Sequence, residues 1–220
     1  MRSLFGLLTM AEPVPQPQSP TLASRVKAWD IKWYRRINGW SSTAAAFLKH
    51  YTHVASSWTW STIMVIFYFV AWLGHVPFAW AFVKYAVANI SSIFIIVAFK
   101  LKINRVRPCY VLENVTVRTS PSHYRGPSFP SGHVQFFFSN MLVLTTIISH
   151  DTQPSIWYWM LPLVLAMTAL IAISRVYVGV HYPTDVIGGF FSGAIIYIIT
   201  IFLTFPLWNI GFTWIDALIH

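Results

Sequence analysis

Three short polar clusters in an otherwise apolar sequence contain residues suited to phosphate chemistry. The first is the basic stretch from Lys100 to Arg107, which is followed by Pro108 and begins where an apolar run ends. Such a stretch is either the basic flank of a membrane helix, whose lysines reach the lipid headgroups, or an anion-binding segment. The residue types alone leave both interpretations open.

The second cluster is Pro130-Ser131-Gly132-His133, directly before another apolar run. Ser131 is a good N-cap for a helix, and Gly132 allows a ligand to approach the backbone closely. Free N–H groups at a helix start form an anion site, into which His133 would point. An ordinary capped turn would have the same sequence.

The third cluster runs from Ser174 and Arg175 to His181 and Asp185. Pro183 suits the first turn of a helix, which would bring Asp185 within reach of His181. A carboxylate bonded to one ring nitrogen fixes the tautomer and makes the other nitrogen a better nucleophile. The alternative is a helix cap made by the aspartate and a buried structural histidine.

The elements that carry these clusters have the composition of a membrane protein. Of 220 residues, 56% are hydrophobic and 10% are charged, and the mean hydropathy is +0.57, which excludes a soluble monomer and a disordered chain. Cys109 is the single cysteine, which excludes an intrachain disulfide. Five apolar runs approach the length of a membrane span: Trp58–Leu73, Phe78–Phe99, His133–Ile148, Ile156–Ile173 and Val186–Phe205. We therefore predict an all-α integral membrane protein with a bundle of five to six transmembrane helices.

The order of these runs places the three clusters on one side of the membrane. The first cluster closes the second run, and the second cluster opens the third. The third cluster lies between the fourth and fifth runs, so one span out and one span back separate it from the second. We call this side the catalytic face.

Together the clusters supply what phosphoryl transfer needs. Five residues would bind a phosphate or diphosphate group: Lys100, Arg107, Ser131, Gly132 and Arg175. His181 can attack phosphorus, and His133 can protonate the leaving oxygen. Because no pair of carboxylates lies among the clusters to hold Mg²⁺, we predict metal-independent chemistry without a cofactor, in which fixed cations do the work of metal ions.

The N-terminal quarter of the chain divides into a Pro-rich tail, residues 1–24, and an amphipathic segment, residues 25–57. One apolar stripe at helical spacing contains Val26, Trp29, Trp33, Ile37 and Trp40. With the basic residues around it, the stripe predicts a helix at the lipid headgroups. The alternative is an ordinary surface helix packed on the rest of the protein. The remaining divisions are a catalytic domain, residues 58–206, and a C-terminal tail, residues 207–220.

The three clusters together resemble the type 2 phosphatidic acid phosphatase (PAP2) superfamily, whose pattern is K-x6-R-P, then P-S-G-H, then S-R-x5-H-x3-D. The chain matches every fixed position, and the resemblance spans roughly Phe78 to Phe205. It implies that His181 is the nucleophile of a phosphohistidine intermediate, that Asp185 orients it, and that His133 is the general acid. It also implies a phosphate-binding set of Lys100, Arg107, Ser131, Gly132 and Arg175.

The resemblance implies a phosphatase for a membrane lipid, such as undecaprenyl diphosphate, phosphatidylglycerophosphate or phosphatidic acid. The alternatives are a lipid A phosphatase and a phosphotransferase with a polyprenyl diphosphate donor. A silent scaffold or transporter, with a polar path past Asn89 and Asn140, is disfavoured because every motif position is kept. The expected partners are the lipid and the bilayer, and nucleic-acid binding is disfavoured.

The resemblance and the charge distribution predict opposite orientations of the protein in the membrane. The resemblance implies a bacterial inner membrane with the active site facing the periplasm or exterior, which is the orientation we expect. If residues 1–57 lie on the catalytic face, however, that face carries 14 of the 15 lysines and arginines. The positive-inside rule would then make it cytoplasmic. A crossing by residues 42–57 would remove this conflict.

Overall fold

The computed structural model describes residues 19–56, isolated positions between 59 and 69, and residues 79–120, 125–151 and 153–219. The regular elements in these ranges are all helical, which confirms the predicted fold class. They are α1 (Leu22–Asn38), α2 (Thr43–Tyr51), α3 (Ala79–Ile103), α4 (Pro108–Val111), α5 (Gly132–Asp151), α6 (Trp157–Tyr177) and α7 (Pro183–Ile219), with 3-10 turns at Thr52–Ala55 and Pro154–Ile156. Most of the predicted span Trp58–Leu73 lies outside the described residues.

Four helices of the described chain are long and apolar enough to cross a membrane. Their spanning segments are Ala86–Val111, Gly132–Ser149, Pro154–Tyr177 and Pro183–Leu203. These segments overlap the last four predicted runs. Helix α7 continues past the predicted end at Phe205 to Ile219, so residues 207–219 are helical where we expected a tail. Pro206 lies within α7 and does not end it.

Helix α5 is at the centre of the bundle, because it packs against α3, α6 and α7. Buried polar side chains join these helices. Asn89 of α3 donates to Asn140 of α5 at 3.0 Å. Gln135 donates to the carbonyl of Ser92 at 2.9 Å and accepts from Ser192 at 2.8 Å. These side chains form hydrogen bonds between helices, which is a simpler role than lining a polar path through the membrane.

Helix α1 docks on α6 and α7 through a polar face. Its buried residues are Asp30, Tyr34 and Asn38, which recur every four positions. The Tyr34 hydroxyl donates to the carbonyl of Gly179 at 3.0 Å, and the Asn38 amide donates to that of Tyr177 at 3.0 Å. Both acceptors lie just before His181 in the chain, so α1 lies on the catalytic face.

Most of the apolar stripe predicted for α1 is exposed. Its exposed members include Val26 (42%), Trp29 (43%), Trp33 (36%) and Trp40 (41%). One member of the stripe, Ile37, is half-buried and packs against the core, so α1 contacts the rest of the protein while its tryptophans stay exposed. A position of α1 at the lipid headgroups remains a prediction.

Helix α2 is too short to cross the bilayer. Its nine residues extend about 14 Å, against a hydrocarbon core of about 30 Å. Ala45 and Leu48 pack against Val180, and Thr52 accepts a hydrogen bond from Arg175 at 2.8 Å. Residues 43–55 therefore lie beside the third cluster, and whether the chain crosses the membrane there remains a prediction.

Candidate active site

The three predicted clusters meet at a cavity of about 180 Å³ on the catalytic face. It is lined by Ile96, Lys100, Arg107, Gly132, His133, Phe136, Arg175 and His181. The two other predicted residues, Ser131 and Asp185, are fully buried beside it, where the Ser131 N–H donates to the Asp185 carbonyl at 2.9 Å. The structure thus brings together all eight residues that the sequence singled out.

Helix ends position the functional side chains. Lys100 lies in the last turn of α3, and the chain then reverses through Asn104, whose φ is 42°. Pro108 starts α4, which fixes Arg107 as its N-cap. The second cluster opens α5, and Arg175 lies in the last turn of α6. Each cluster is therefore fixed to the end of a rigid helix.

Gly179 shapes the loop that carries His181. Its φ is +92°, a conformation that side chains disfavour, and a Cβ there would lie 2.6 Å from the carbonyl oxygen of Thr116. The glycine lets the chain turn tightly after α6 and return to α7. His181 is thereby placed between Arg107 and Asp185.

The contacts of His181 define which ring nitrogen carries the proton. Its Nε2 lies 3.1 Å from Nη1 of Arg107, and since a guanidinium only donates, Nε2 accepts and carries the lone pair. The proton then lies on Nδ1, which faces Oδ2 of Asp185 at 3.6 Å. This distance exceeds a hydrogen bond, and Nδ1 has no partner among the described residues. The predicted carboxylate is thus in place, in a contact that a small rotation of the ring would tighten.

The surroundings keep His181 neutral. The side chain is 2% exposed, and burial, as the largest cause, lowers its pKa well below the ordinary value for histidine. The positive charges of Arg107, Arg175 and Lys100 lower the pKa further. A neutral imidazole is the nucleophilic form.

Arg107 and Lys100 are fixed by backbone carbonyls, mostly of the segment before the second cluster. Nε of Arg107 donates to Gly126 at 2.9 Å, Nη1 to Val180 at 2.9 Å and Nη2 to Pro127 at 3.2 Å. Nζ of Lys100 also donates to the Pro127 carbonyl. The two charges are therefore held in place before an anion arrives. For Nε2 of His181 to attack, its hydrogen bond from Nη1 of Arg107 has to break.

Unpaired donors mark where the anion would bind. Arg175 is 1% exposed and donates from Nη1 to Thr52, but its Nε and Nη2, like Oγ of Ser131, have no hydrogen-bond partner among the described residues. A buried donor without a partner costs about 1–3 kcal/mol. Phosphate oxygens would satisfy these groups, which supports the assignment of both residues to a phosphate site.

Sequence reasoning missed two residues near the catalytic carboxylate. Arg105 donates from Nη1 to Oδ1 of Asp185 at 2.7 Å and from Nη2 to Oδ2 of Asp30 at 2.6 Å. Asp30 is the one acidic residue of α1 and is buried, so a lone carboxylate among basic residues was the available signal. No cluster of three or more potential metal ligands forms among the described residues.

A helical membrane bundle with a buried histidine facing three fixed cations has the features of a membrane protein with a site suited to an oxyanion. The chain matches the PAP2 superfamily over residues 80–209, more than half its length, and it belongs to that superfamily. The match confirms the resemblance that the three clusters carry.

One curated relative and two solved structures are similar to the chain. The undecaprenyl-diphosphatase of Sulfolobus acidocaldarius is 38% identical over 91 residues, which cover 41% of this chain and 36% of that protein. The chain thus matches about a third of the length of this relative. Aquifex aeolicus LpxE aligns with a TM-score of 0.63 at 23% identity, over 79% of this chain and 94% of that one. The transmembrane PAP2-type phosphatidylglycerolphosphate phosphatase of Bacillus subtilis aligns with a TM-score of 0.68 at 22% identity, over 82% and 85%. At these identities the two structures establish the fold.

Proposed function

We propose that this chain is a membrane-embedded phosphatase that hydrolyses a lipid phosphate or polyprenyl diphosphate through a phosphohistidine intermediate. The observation that carries this proposal is the pairing of buried, unpartnered donors with a nucleophile. Nε and Nη2 of Arg175 and Oγ of Ser131 have no hydrogen-bond partner among the described residues. They lie beside His181, whose Nε2 carries the lone pair. An anion with several oxygens around an electrophilic centre would accept hydrogen bonds from these donors and react with the nucleophile.

The reaction would proceed in two displacements. Nε2 of His181 attacks phosphorus, an N–P bond forms, and the P–O bond to the lipid leaving group breaks as His133 gives that oxygen a proton. Water then attacks phosphorus while His133 takes a proton from it. The N–P bond breaks, and inorganic phosphate leaves.

The remaining residues would stabilise charge. Lys100, Arg107 and Arg175 face the cavity and would bind the equatorial oxygens, so that metal-independent transfer is expected. Asp185 would stabilise the proton on Nδ1 of His181 as the ring gains positive character. The N–H groups at the start of α5 add further donors.

A polyprenyl diphosphate is the substrate that we favour. The support is the similarity to a protein named as an undecaprenyl-diphosphatase, within the superfamily that the clusters define. The competing substrates are phosphatidylglycerophosphate, phosphatidic acid and lipid A. A phosphotransferase would use the same site and would differ in the acceptor.

Phosphate release from the purified protein tests this function. The four lipids are supplied in detergent with EDTA, alongside a labelled acceptor lipid that would reveal transfer. We expect release from undecaprenyl diphosphate, inhibition by orthovanadate and complete loss in His181→Ala. The matched control is His50→Ala, since His50 is an exposed histidine of α2 outside the cavity. Full activity in His181→Ala would refute the mechanism.

The enzyme is an integral membrane protein, and we propose that α1 lies at the headgroups of the catalytic face. Its outward tryptophans and its basic residues support this position. The superfamily resemblance supports an active site facing the exterior of a bacterial cytoplasmic membrane. The charge distribution points the other way, because α1 and α2 both lie on the catalytic face and bring their lysines and arginines with them.

Cysteine labelling decides between the two orientations. In a Cys109→Ala background, Ser120→Cys reports the catalytic face and Ser155→Cys the opposite end of the bundle, and both serines are exposed. An exterior active site predicts that a membrane-impermeant maleimide labels Ser120→Cys in intact cells and Ser155→Cys only after permeabilisation. The reverse pattern would make the catalytic face cytoplasmic.

A further inference from the structure

A buried carboxylate on α1 lies outside the phosphate cavity and is fully paired. Asp30 is 0% exposed. Its Oδ1 accepts from the Thr184 N–H at 2.9 Å, and its Oδ2 accepts from Oγ1 of Thr184 and Nη2 of Arg105, each at 2.6 Å. A buried charge persists only where it is paired and hydrogen-bonded in this way. Asp30 therefore fixes both the first turn of α7 and one side of Arg105.

The other side of Arg105 holds the catalytic carboxylate. Its Nη1 donates to Oδ1 of Asp185 at 2.7 Å and to Oγ1 of Thr184 at 2.6 Å, and its guanidinium carbon lies 4.1 Å from the centre of the Tyr182 ring. The planar guanidinium thus bridges two carboxylates with one Nη for each. This geometry leaves only one oxygen of Asp185 bonded to Arg105.

The second oxygen of Asp185 is thereby kept for the histidine loop. Oδ2 accepts from the Tyr182 N–H at 2.8 Å and faces Nδ1 of His181 at 3.6 Å. Without Asp30, the Arg105 fork would be free to bind both oxygens of Asp185 in the bidentate geometry that arginine and carboxylates favour. Such a pair would compete with His181 for Oδ2.

We infer that Asp30 and Arg105 are positioning residues that hold Asp185 in the orientation needed to align His181. The inference rests on the proposed phosphohistidine mechanism and adds a part of the chain that the three clusters do not contain. Helix α1 would thus be an integral part of the active site as well as a membrane-surface element. Asp30 itself would not touch the substrate.

Steady-state kinetics of Asp30→Asn and Asp30→Glu test this role with the lipid that the wild type hydrolyses best. We expect kcat of Asp30→Asn to fall about 10- to 100-fold, by analogy with the loss of the outer hydrogen-bond partners of metal-bound histidines. KM and the inhibition constant of orthovanadate should change less than about threefold, because Asp30 contacts none of the phosphate-binding residues. Asp30→Glu, which keeps the charge, should recover part of kcat.

Asn38→Ala is the matched control. Asn38 is buried on the same face of α1 and bonds Thr116 and Tyr177, away from Asp185. If kcat falls equally in Asn38→Ala and Asp30→Asn at equal loss of thermal stability, Asp30 only docks α1 and the inference is overturned. A rise in KM of equal size in both variants would overturn the inference as well. A wild type that releases no phosphate from any lipid would overturn the proposed function together with it, so the two failures are distinguishable.

Discussion

Replacing Arg175 with glutamine should abolish anion binding while leaving the empty protein folded. Arg175 lies with Lys100 and Arg107, so three positive charges face one small space. Two of its nitrogens are buried and have no hydrogen-bond partner in the part of the chain that the structure describes. The wild type therefore bears a cost before substrate binds, and Arg175→Gln relieves part of it by removing a charge from this cluster.

The size of the binding loss follows from the unpaired groups. Nε and Nη2 are placed to give two hydrogen bonds to an anion, and each bond with a charged group contributes about 1.5–3 kcal/mol. Losing both predicts a penalty of at least about 3 kcal/mol, which is at least about 100-fold in affinity. Orthovanadate at about 100 times its wild-type Kd stabilises the wild type by about 2.7 kcal/mol. At the same concentration the variant would gain only about 0.4 kcal/mol.

The assay is unfolding of the detergent-purified protein with and without orthovanadate. Arg118→Gln is the control, since Arg118 lies outside the cavity and donates to the carbonyls of Tyr177 at 2.8 Å and Trp40 at 3.2 Å. The control should lose stability without ligand and keep the full orthovanadate shift. Arg175→Gln should show the opposite pattern. A full orthovanadate shift in Arg175→Gln would refute the assignment of Arg175 to the anion site.

Three further predictions concern the histidine, a turn and the bundle. The pKa of His181 is lowered in the folded protein, so on acidification the unfolded chain binds a proton near pH 6.5 and the folded chain binds one only at lower pH. This difference in proton binding does not affect stability above about pH 6.5 and lowers the unfolding free energy as the pH falls below it. His181→Asn should flatten the fall in unfolding free energy below that pH by up to about 1.4 kcal/mol per pH unit, and parallel wild-type and variant curves would contradict this. Gly179→Ala should destabilise the protein by several kcal/mol more than Gly126→Ala in chemical denaturation, because both have positive φ but only at Gly179 does a Cβ meet backbone, at 2.6 Å. Asn140→Ala removes the hydrogen bond to Asn89 and should cost about 0.6–2 kcal/mol of stability with KM unchanged, and a changed KM would indicate a role in the site.

The cavity could be predicted from sequence because its residues lie at helix ends that local signals define. Pro108 starts α4, and Gly132 and Pro183 lie in the first turns of α5 and α7, so the functional side chains keep fixed offsets from the helix termini. The alternation of spans then places all three clusters on one face, whatever the detailed packing. Neither the helix-end signals nor the alternation of spans depends on a contact between distant residues.

The bridge from Asp30 to Asp185 could not be predicted in this way. It joins residues on α1, the loop after α3 and the start of α7, and it forms only because α1 docks at one rotation and depth. Periodicity gave the tryptophan stripe of α1 but did not say that the polar face would be the buried one. In water an apolar stripe is expected to face the core, whereas at a membrane surface the lipid competes for it.

Helix α1 buries polar side chains and exposes its tryptophans. This arrangement explains how so basic a helix can lie beside a cavity that already holds three cations. The exposed face keeps its positive charge and its tryptophans away from the cavity, while the inward face contributes one carboxylate, Asp30, which neutralises Arg105. Without Asp30, Arg105 would keep its ion pair with Asp185 at 2.7 Å, and its other Nη would be free to bind the second oxygen of that carboxylate. On the proposed mechanism, the acidic residue that α1 buries therefore serves the phosphate chemistry by positioning Asp185.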